Sequence, residues 1–141
     1  MSTTAKKSET RYLGTKILLL LIAPFVFWYV TTPRVIVHYS KEGTEELRTV
    51  WNTQHRIYRE RILPGQASVD TGHIFPDEDF FMMFDWWTHS KYRRCIDITP
   101  KWGRTIDIYI DETGRIDTAN TAPDVIARLK SCKGDPDPFR P

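Results

Sequence analysis

The sequence predicts a mainly β protein, in which one N-terminal transmembrane helix is followed by a small antiparallel β-sandwich with one C-terminal helix. Three observations predict this fold class. Residues 17–33 contain no charged side chain, and the later residues form short β-branched and aromatic runs separated by turn residues. Only one segment near the C-terminus has strong helical character. A chain of 141 residues has room for one such domain plus an anchor.

Residues 17–33 are predicted to span a membrane as a signal anchor. A helix of this length covers about 25 Å, which approaches the roughly 30 Å of a hydrocarbon core. The predicted membrane-anchor residues are Ile17, Leu20, Phe25, Trp28 and Tyr29, with the last two at the depth of an interfacial aromatic belt. Large residues stand where a signal peptidase requires small ones, so an anchor is favoured over the alternative, a cleaved signal peptide.

The charge on either side of this segment predicts its orientation. Residues 1–16 carry four basic side chains and one acidic side chain, a formal charge of +3, whereas the remainder carries 16 basic and 17 acidic side chains. The positive-inside rule makes residues 1–16 a basic cytoplasmic tail. We therefore expect the bacterial inner membrane, with the C-terminal domain in the periplasm. The near-neutral outer domain argues against nucleic acid as a partner, because the phosphate backbone requires a basic surface.

Residues 34–133 are predicted to form the β-sandwich. The β-branched run at 34–40 predicts its first strand, and residues 44–62 favour a hairpin, although their apolar spacing also permits a helix. Further strands are predicted at 66–75, 80–87, 92–99, 104–111 and 115–117. Apolar residues on both faces of 80–87 predict a central strand. Residues 100–103, Pro-Lys-Trp-Gly, predict a hairpin between the strands that flank them.

Residues 123–132 predict the one helix of the outer domain, with Thr121 as its cap and Pro123 in its first turn. The following residues, 134–141, are rich in proline and aspartate, which predicts a disordered tail.

The two cysteines, Cys95 and Cys132, form an even pair in a domain expected outside the cytoplasm, so a disulfide is predicted. If Ile96 and Ile98 face the core, Cys95 lies on the outer face of its strand. We therefore expect the disulfide to hold the C-terminal helix over that face.

The spacing of reactive residues predicts neither a catalytic site nor a metal site, and no cofactor. The four histidines are isolated from one another and from the cysteines, and no serine lies in a nucleophile turn.

Two features remain as candidate partner-binding surfaces. They are the aromatic pair Trp86 and Trp87, and the basic residues Arg59, Arg61 and Arg93. We expect a membrane-anchored protein-binding module that contacts the lipid bilayer and another envelope or secreted protein, as an accessory subunit of an envelope complex. An immunity-type inhibitor of a secreted toxin is the alternative, and a small envelope hydrolase is a third possibility.

Overall fold

The computed structural model describes residues 3–54, 56–90, 93–98 and 104–132, with side chains from Tyr12 onward. It separates into two compact units, Met1–Thr31 and Thr32–Pro141. The first unit contains a single helix, and the second contains every strand described below.

The first unit is helix α1, Thr3–Thr31, whose later part is apolar on all sides. Its segment Tyr12–Thr31 has a mean hydropathy of 1.9 over 20 residues and is long enough to cross a membrane. Within the chain its large apolar side chains are between 43% and 77% exposed. Pro24 does not end the helix. A helix without a polar face is typical of lipid contact and is unusual on a soluble protein.

Within its described residues, the second unit contains eight strands and one short helix. In chain order they are β1 Arg34–Tyr39, β2 Leu47–Thr53, β3 Arg56–Ile62, β4 Ala67–Thr71, β5 Met82–Trp87, β6 Arg94–Asp97, β7 Thr105–Ile110, α2 Pro123–Ile126 and β8 Lys130–Ser131. The strands form a three-stranded sheet, in the order β4-β1-β7, and a five-stranded sheet, in the order β3-β2-β5-β6-β8.

One hydrophobic core joins the inner faces of the two sheets. The core consists of side chains at alternate strand positions, which all point to the same side of a sheet. Val35 and Val37 of β1 and Ile106 and Ile108 of β7 are buried in this way. The five-stranded sheet contributes the largest side chains, and burying each one stabilises the fold by about 1.5–3 kcal/mol. Its fully buried members are Leu47, Trp51, Ile62, Met82, Phe84, Ile96 and Ile98.

Several predictions about the strands are confirmed. Residues 44–62 contain a hairpin, because β2 and β3 pair antiparallel from Leu47 opposite Ile62 to Thr53 opposite Arg56. Strand β5 is central, between β2 and β6. The strand predicted at 115–117 is reduced to a single bridge from Ile116 to Ile110.

The prediction of a wholly antiparallel sandwich is wrong. Strands β1 and β7 run parallel, from Arg34 opposite Thr105 to Tyr39 opposite Ile110. The hairpin predicted between β6 and β7 is also wrong, since these strands belong to different sheets. Residues 100–103 themselves lie outside the described residues. Turn chemistry predicted a local pairing, but β7 instead fills the open edge of β1, which would otherwise belong to a two-stranded ribbon.

The helix predicted at 123–132 is much shorter in the structure. Helix α2 ends at Ile126, and Lys130 and Ser131 pair with β6 as strand β8. Thr121 does not cap the helix, because its Oγ1 accepts a hydrogen bond from the Tyr109 amide at 3.0 Å. The predicted disordered tail, residues 134–141, lies outside the described residues.

Cys95 and Cys132 form the predicted disulfide, with their Cα atoms 5.5 Å apart. Its structural role differs from the expectation. Ile96 lies opposite Ser131 in the β6–β8 pair, so the same register continued by one residue sets Cys95 opposite Cys132. The bond therefore joins neighbouring strands at the sheet edge and does not hold a helix over the sheet face.

Candidate functional site

The outer face of the five-stranded sheet gathers four residues into one row: one each from β2, β3 and β5, and the residue that precedes β6. Arg48 lies opposite Arg61 on one side and opposite Trp87 on the other. Trp86 pairs with Arg94, so the next position of that ladder sets Trp87 opposite Arg93. We name Arg61, Arg48, Trp87 and Arg93 the arginine–tryptophan row.

Two further rows complete this outer face, and both follow from the same register. The middle row is Arg59, Val50, Asp85, Cys95 and Cys132, and the last row is Ile57, Asn52, Met83, Asp97 and Lys130. Five basic side chains thus share these three rows with two carboxylates, and Glu46 beside the first row is a third, so the charge of the face is positive although the whole β domain is nearly neutral.

Arg93 is held in a defined position at one end of the row. Its Nε and Nη2 atoms donate to the two carboxylate oxygens of Asp85 at 3.1 and 2.7 Å. The same guanidinium lies 5.6 Å from the ring centre of Trp87. Paired hydrogen bonds and a cation–π contact both restrict the arginine. The row therefore presents a flat tryptophan–guanidinium surface with little conformational freedom left to lose on binding.

The two arginines at the other end of the row share one acidic residue. Glu46 lies 3.4 Å from the Arg48 Nε and 3.9 Å from the Arg61 Nη1, and the arginine side chains are 48% and 73% exposed. Exposed pairs of this length contribute little to stability, about 0–1 kcal/mol. Both guanidiniums therefore keep much of their capacity to bind another carboxylate.

A cavity of about 440 Å³ opens beside Trp87 and adds to the basic character of this end of the domain. Its lining is Trp86, Trp87, Thr88, Arg94, Thr113, Gly114 and Arg115, which includes two arginines and no acidic side chain.

The predicted binding residues separate into two groups. Arg59, Arg61, Trp87 and Arg93 come together on the outer face. Trp86 points the other way: it is 2% exposed, its ring lies 5.5 Å from that of Phe84, and its Nε1 donates to the Gly114 carbonyl at 2.8 Å. Trp86 is therefore a core residue and is removed from the candidate surface.

A second polar cluster, on the outer face of the three-stranded sheet, was not anticipated from the sequence. His38 Nε2 lies 2.8 Å from Asp107 Oδ1, and the imidazole stacks on Tyr109 with ring centres 4.5 Å apart. A cavity of about 260 Å³ adjoins it, lined in part by Ser40 and Asn120. Alternation places each residue on an outer face, but only the parallel β1–β7 pairing brings them together.

In this second cluster the contacts of the His38 imidazole are with Asp107 and Tyr109. Ser40, the residue after β1, accepts the Glu42 amide with its Oγ at 3.1 Å. Among the described residues no group of three or more histidine, cysteine, aspartate or glutamate side chains is arranged to hold a metal ion.

The arginine–tryptophan row is therefore the feature of the described chain best suited to bind another macromolecule. Comparisons of the chain with protein-family models, with curated proteins and with solved structures found no match.

Proposed function

We propose that this chain is a single-pass membrane protein whose β domain lies outside the cytoplasm and binds another protein through the arginine–tryptophan row. The observation that carries the proposal is the sheet register, which gathers three arginines and one tryptophan into one row across β3, β2, β5 and the start of β6. Tryptophan and arginine are enriched at the centres of protein interfaces. Strand pairing already fixes the backbone of this surface, so binding requires little ordering.

Helix α1 supports the membrane part of the proposal. Its apolar segment has the length and composition of a span, and the +3 charge of residues 1–16 favours a cytoplasmic N-terminus. Only Thr32 and Pro33 separate the helix from β1. Such a short tether raises the effective concentration of the domain towards partners held in the same membrane. We assign the chain to the bacterial inner membrane, as an accessory subunit of an envelope complex.

The charge of the face indicates the chemistry of the partner. Basic side chains outnumber carboxylates on it, so a complementary surface carries aspartate or glutamate around an apolar patch that covers Trp87. The proposed partner is therefore an acidic protein surface.

Photo-crosslinking tests this proposal in intact cells. A photoreactive phenylalanine analogue replaces Trp87 on the candidate face, and in a control chain it replaces Thr105, an exposed residue on the outer side of the three-stranded sheet. We expect one discrete protein adduct from position 87 and none from position 105. No adduct at position 87, or the same adducts from both positions, would contradict the proposal. An integral-membrane adduct supports the subunit role, and a soluble secreted one supports the inhibitor role.

A further inference from the structure

Strand β3 is an edge strand of the five-stranded sheet, and its free side can be identified from the hydrogen bonds of the neighbouring strands. The Gln54 amide donates to the Phe81 carbonyl at 3.2 Å. In an antiparallel ladder the even-numbered residues of β2 therefore bond to β5, and the odd-numbered residues bond to β3. Because Trp51 lies opposite Tyr58, Ile57, Arg59 and Arg61 direct their backbone N–H and C=O groups away from the sheet.

The neighbouring edge strand, β4, is closed by side chains that come from β3. Tyr58 donates its hydroxyl to the Val69 carbonyl at 3.1 Å, and Arg56 donates to the Thr71 carbonyl at 2.8 Å. Burial is the main cause that raises the pKa of Tyr58, with the carboxylates of Asp70 and Glu60 adding to it, so this donor stays protonated at neutral pH. Two of the carbonyls on the free side of β4, those of Val69 and Thr71, are thus occupied.

The remaining edges offer little pairing surface. On β7 the Tyr109 amide donates to Thr121 Oγ1, and the Tyr109 carbonyl accepts the Asp117 amide at 2.8 Å. Strand β8 has two residues and is followed by the disulfide. Within the described residues no hydrogen bond reaches the outward backbone groups of Ile57, Arg59 or Arg61. Strand β3, with seven residues, is the longest edge that remains open to pairing.

The side chains beside this edge determine what can pair with it. Arg59 and Arg61 lie on the outer face, two residues apart, and Ile57 beside them is 69% exposed. Antiparallel pairing with a second copy centred on Arg59 would set arginine opposite arginine, which is unfavourable. A strand with carboxylates at two alternate positions followed by an apolar residue would instead meet Arg61, Arg59 and Ile57 in turn.

We propose that β3 accepts an extended acidic segment of the partner as an added strand of the five-stranded sheet. This inference rests on the proposed binding function and names the mode of recognition. Main-chain hydrogen bonds supply binding energy, and alternate side chains supply specificity, as in other cases of strand addition. The added strand continues the three outer rows, so the partner also extends towards the arginine–tryptophan row.

The test uses the full chain in lipid nanodiscs and a capped, fluorescent peptide, Thr-Glu-Thr-Glu-Thr-Val-Thr. Anisotropy titrations follow its binding, and the same peptide with lysine at both glutamate positions is the control. We expect the glutamate peptide to bind and the lysine peptide not to bind. Arg59→Glu should weaken the glutamate peptide about tenfold or more and allow the lysine peptide to bind. Arg104→Glu, the same charge change at an exposed residue just before β7 in the other sheet, should leave binding unchanged.

Backbone methylation separates strand addition from simple charge attraction. In an added strand the amides point alternately towards β3 and away from it. Two peptides are compared, one N-methylated at the second glutamate and one N-methylated at the threonine before it. One of these two should fail to bind, and the other should bind like the parent peptide. Equal binding of both methylated peptides, or no binding by the parent peptide, would overturn strand addition. Crosslinking from position 87 would still stand in that case, so failure here is distinct from failure of the proposed function.

Discussion

Trp86 and Trp87 are neighbours in the sequence, yet their indole rings lie on opposite faces of one sheet. Alternation along β5 sends Trp86 into the core, where Gly114 accepts its N–H, and sends Trp87 onto the outer face beside Arg93. Periodicity could predict that the two rings point in opposite directions. It could not decide which face is covered, because both faces of residues 80–87 are mainly apolar and differ by the single carboxylate of Asp85.

This difference predicts opposite consequences for two matched substitutions. Trp86→Ala should lower the free energy of unfolding by about 3–5 kcal/mol, because it leaves a large cavity, and it also removes the donor to the Gly114 carbonyl. Trp87→Ala should lower the free energy of unfolding by less than about 1 kcal/mol. In a chain that carries the photoreactive group at Asn52 instead of at position 87, Trp87→Ala should also abolish the crosslinked adduct. Urea denaturation of the full chain in detergent measures the free energy of unfolding of both variants. Equal destabilisation by the two variants would contradict the assignment of faces.

Glu45 provides a prediction about pH at the same scale. The Ser90 hydroxyl donates to its carboxylate at 2.7 Å and is the main cause that lowers the pKa of Glu45 below its ordinary value of 4.5, while burial acts in the opposite direction. A carboxylate whose pKa is lower in the folded state contributes stability above its unfolded pKa and loses it as the pH falls towards its folded pKa.

The stability of the native chain should therefore fall more steeply below about pH 4.5 than that of Glu45→Gln, which cannot titrate at this position. Thermal melting over a pH series measures the difference between the two chains, and Ser90→Ala should reduce it. Melting curves that stay parallel from pH 6 to pH 3 would show that this pair does not contribute to acid sensitivity.

At the scale of elements, the structure shows how far alternation and turn chemistry determine a β fold. The inward positions of β1, β6 and β7 follow from their apolar alternation, and strand propensity and turn chemistry favoured the β2–β3 hairpin over a helix at residues 44–62. Sheet membership does not follow from either. The isoleucines of β7 suit the inner face of either sheet, and only the open edge of β1, far away in the sequence, assigns the strand. The arginine–tryptophan row could not be predicted from the sequence for the same reason, because it depends on the register of four strands.

The C-terminal segment illustrates the competition between a helix and a strand. Residues 123–132 have helical spacing, but a helix of this length is marginal by itself. Val125 and Leu129 are buried even though α2 ends at Ile126. Lys130 and Ser131 pair with β6, and the disulfide adjoins this pair. A helix that continued to residue 132 would not make these contacts.

Removal of the disulfide should therefore release β8 before the rest of the sheet. The bond closes a loop with a sequence separation of 37. By lowering the entropy of the unfolded chain, a loop of this size stabilises the folded state by about 3–4 kcal/mol. Cys95→Ser should lower stability by this order and increase amide exchange at Lys130 and Ser131 first. The double variant with Cys132→Ser is the control for a free thiol. Unchanged exchange in this segment, with faster exchange elsewhere, would contradict its dependence on the bond.

At the scale of the whole molecule, the chain combines an apolar helix with a near-neutral β domain, and the charge of its first 16 residues predicts the orientation of both. A reporter that is active only outside the cytoplasm, fused after Pro141, should be active. Reversing the charge of Lys6, Lys7, Arg11 and Lys16 should lower that activity, because the positive flank is lost. Activity of a cytoplasm-only reporter at the same fusion point would contradict the orientation, and a mature N-terminus near Arg34 would show cleavage of the anchor.

The parallel pairing of β1 with β7 also affects the order in which the domain can fold during synthesis. Strand β1 follows the helix directly, but its parallel neighbour, Thr105–Ile110, is made about 70 residues later. At about 5–20 residues per second, β1 waits several seconds for the neighbour that completes its sheet. During that interval Val35 and Val37 remain without their final packing partners. A nascent chain that stalls before Arg104 is therefore expected to be a substrate for chaperones and proteases.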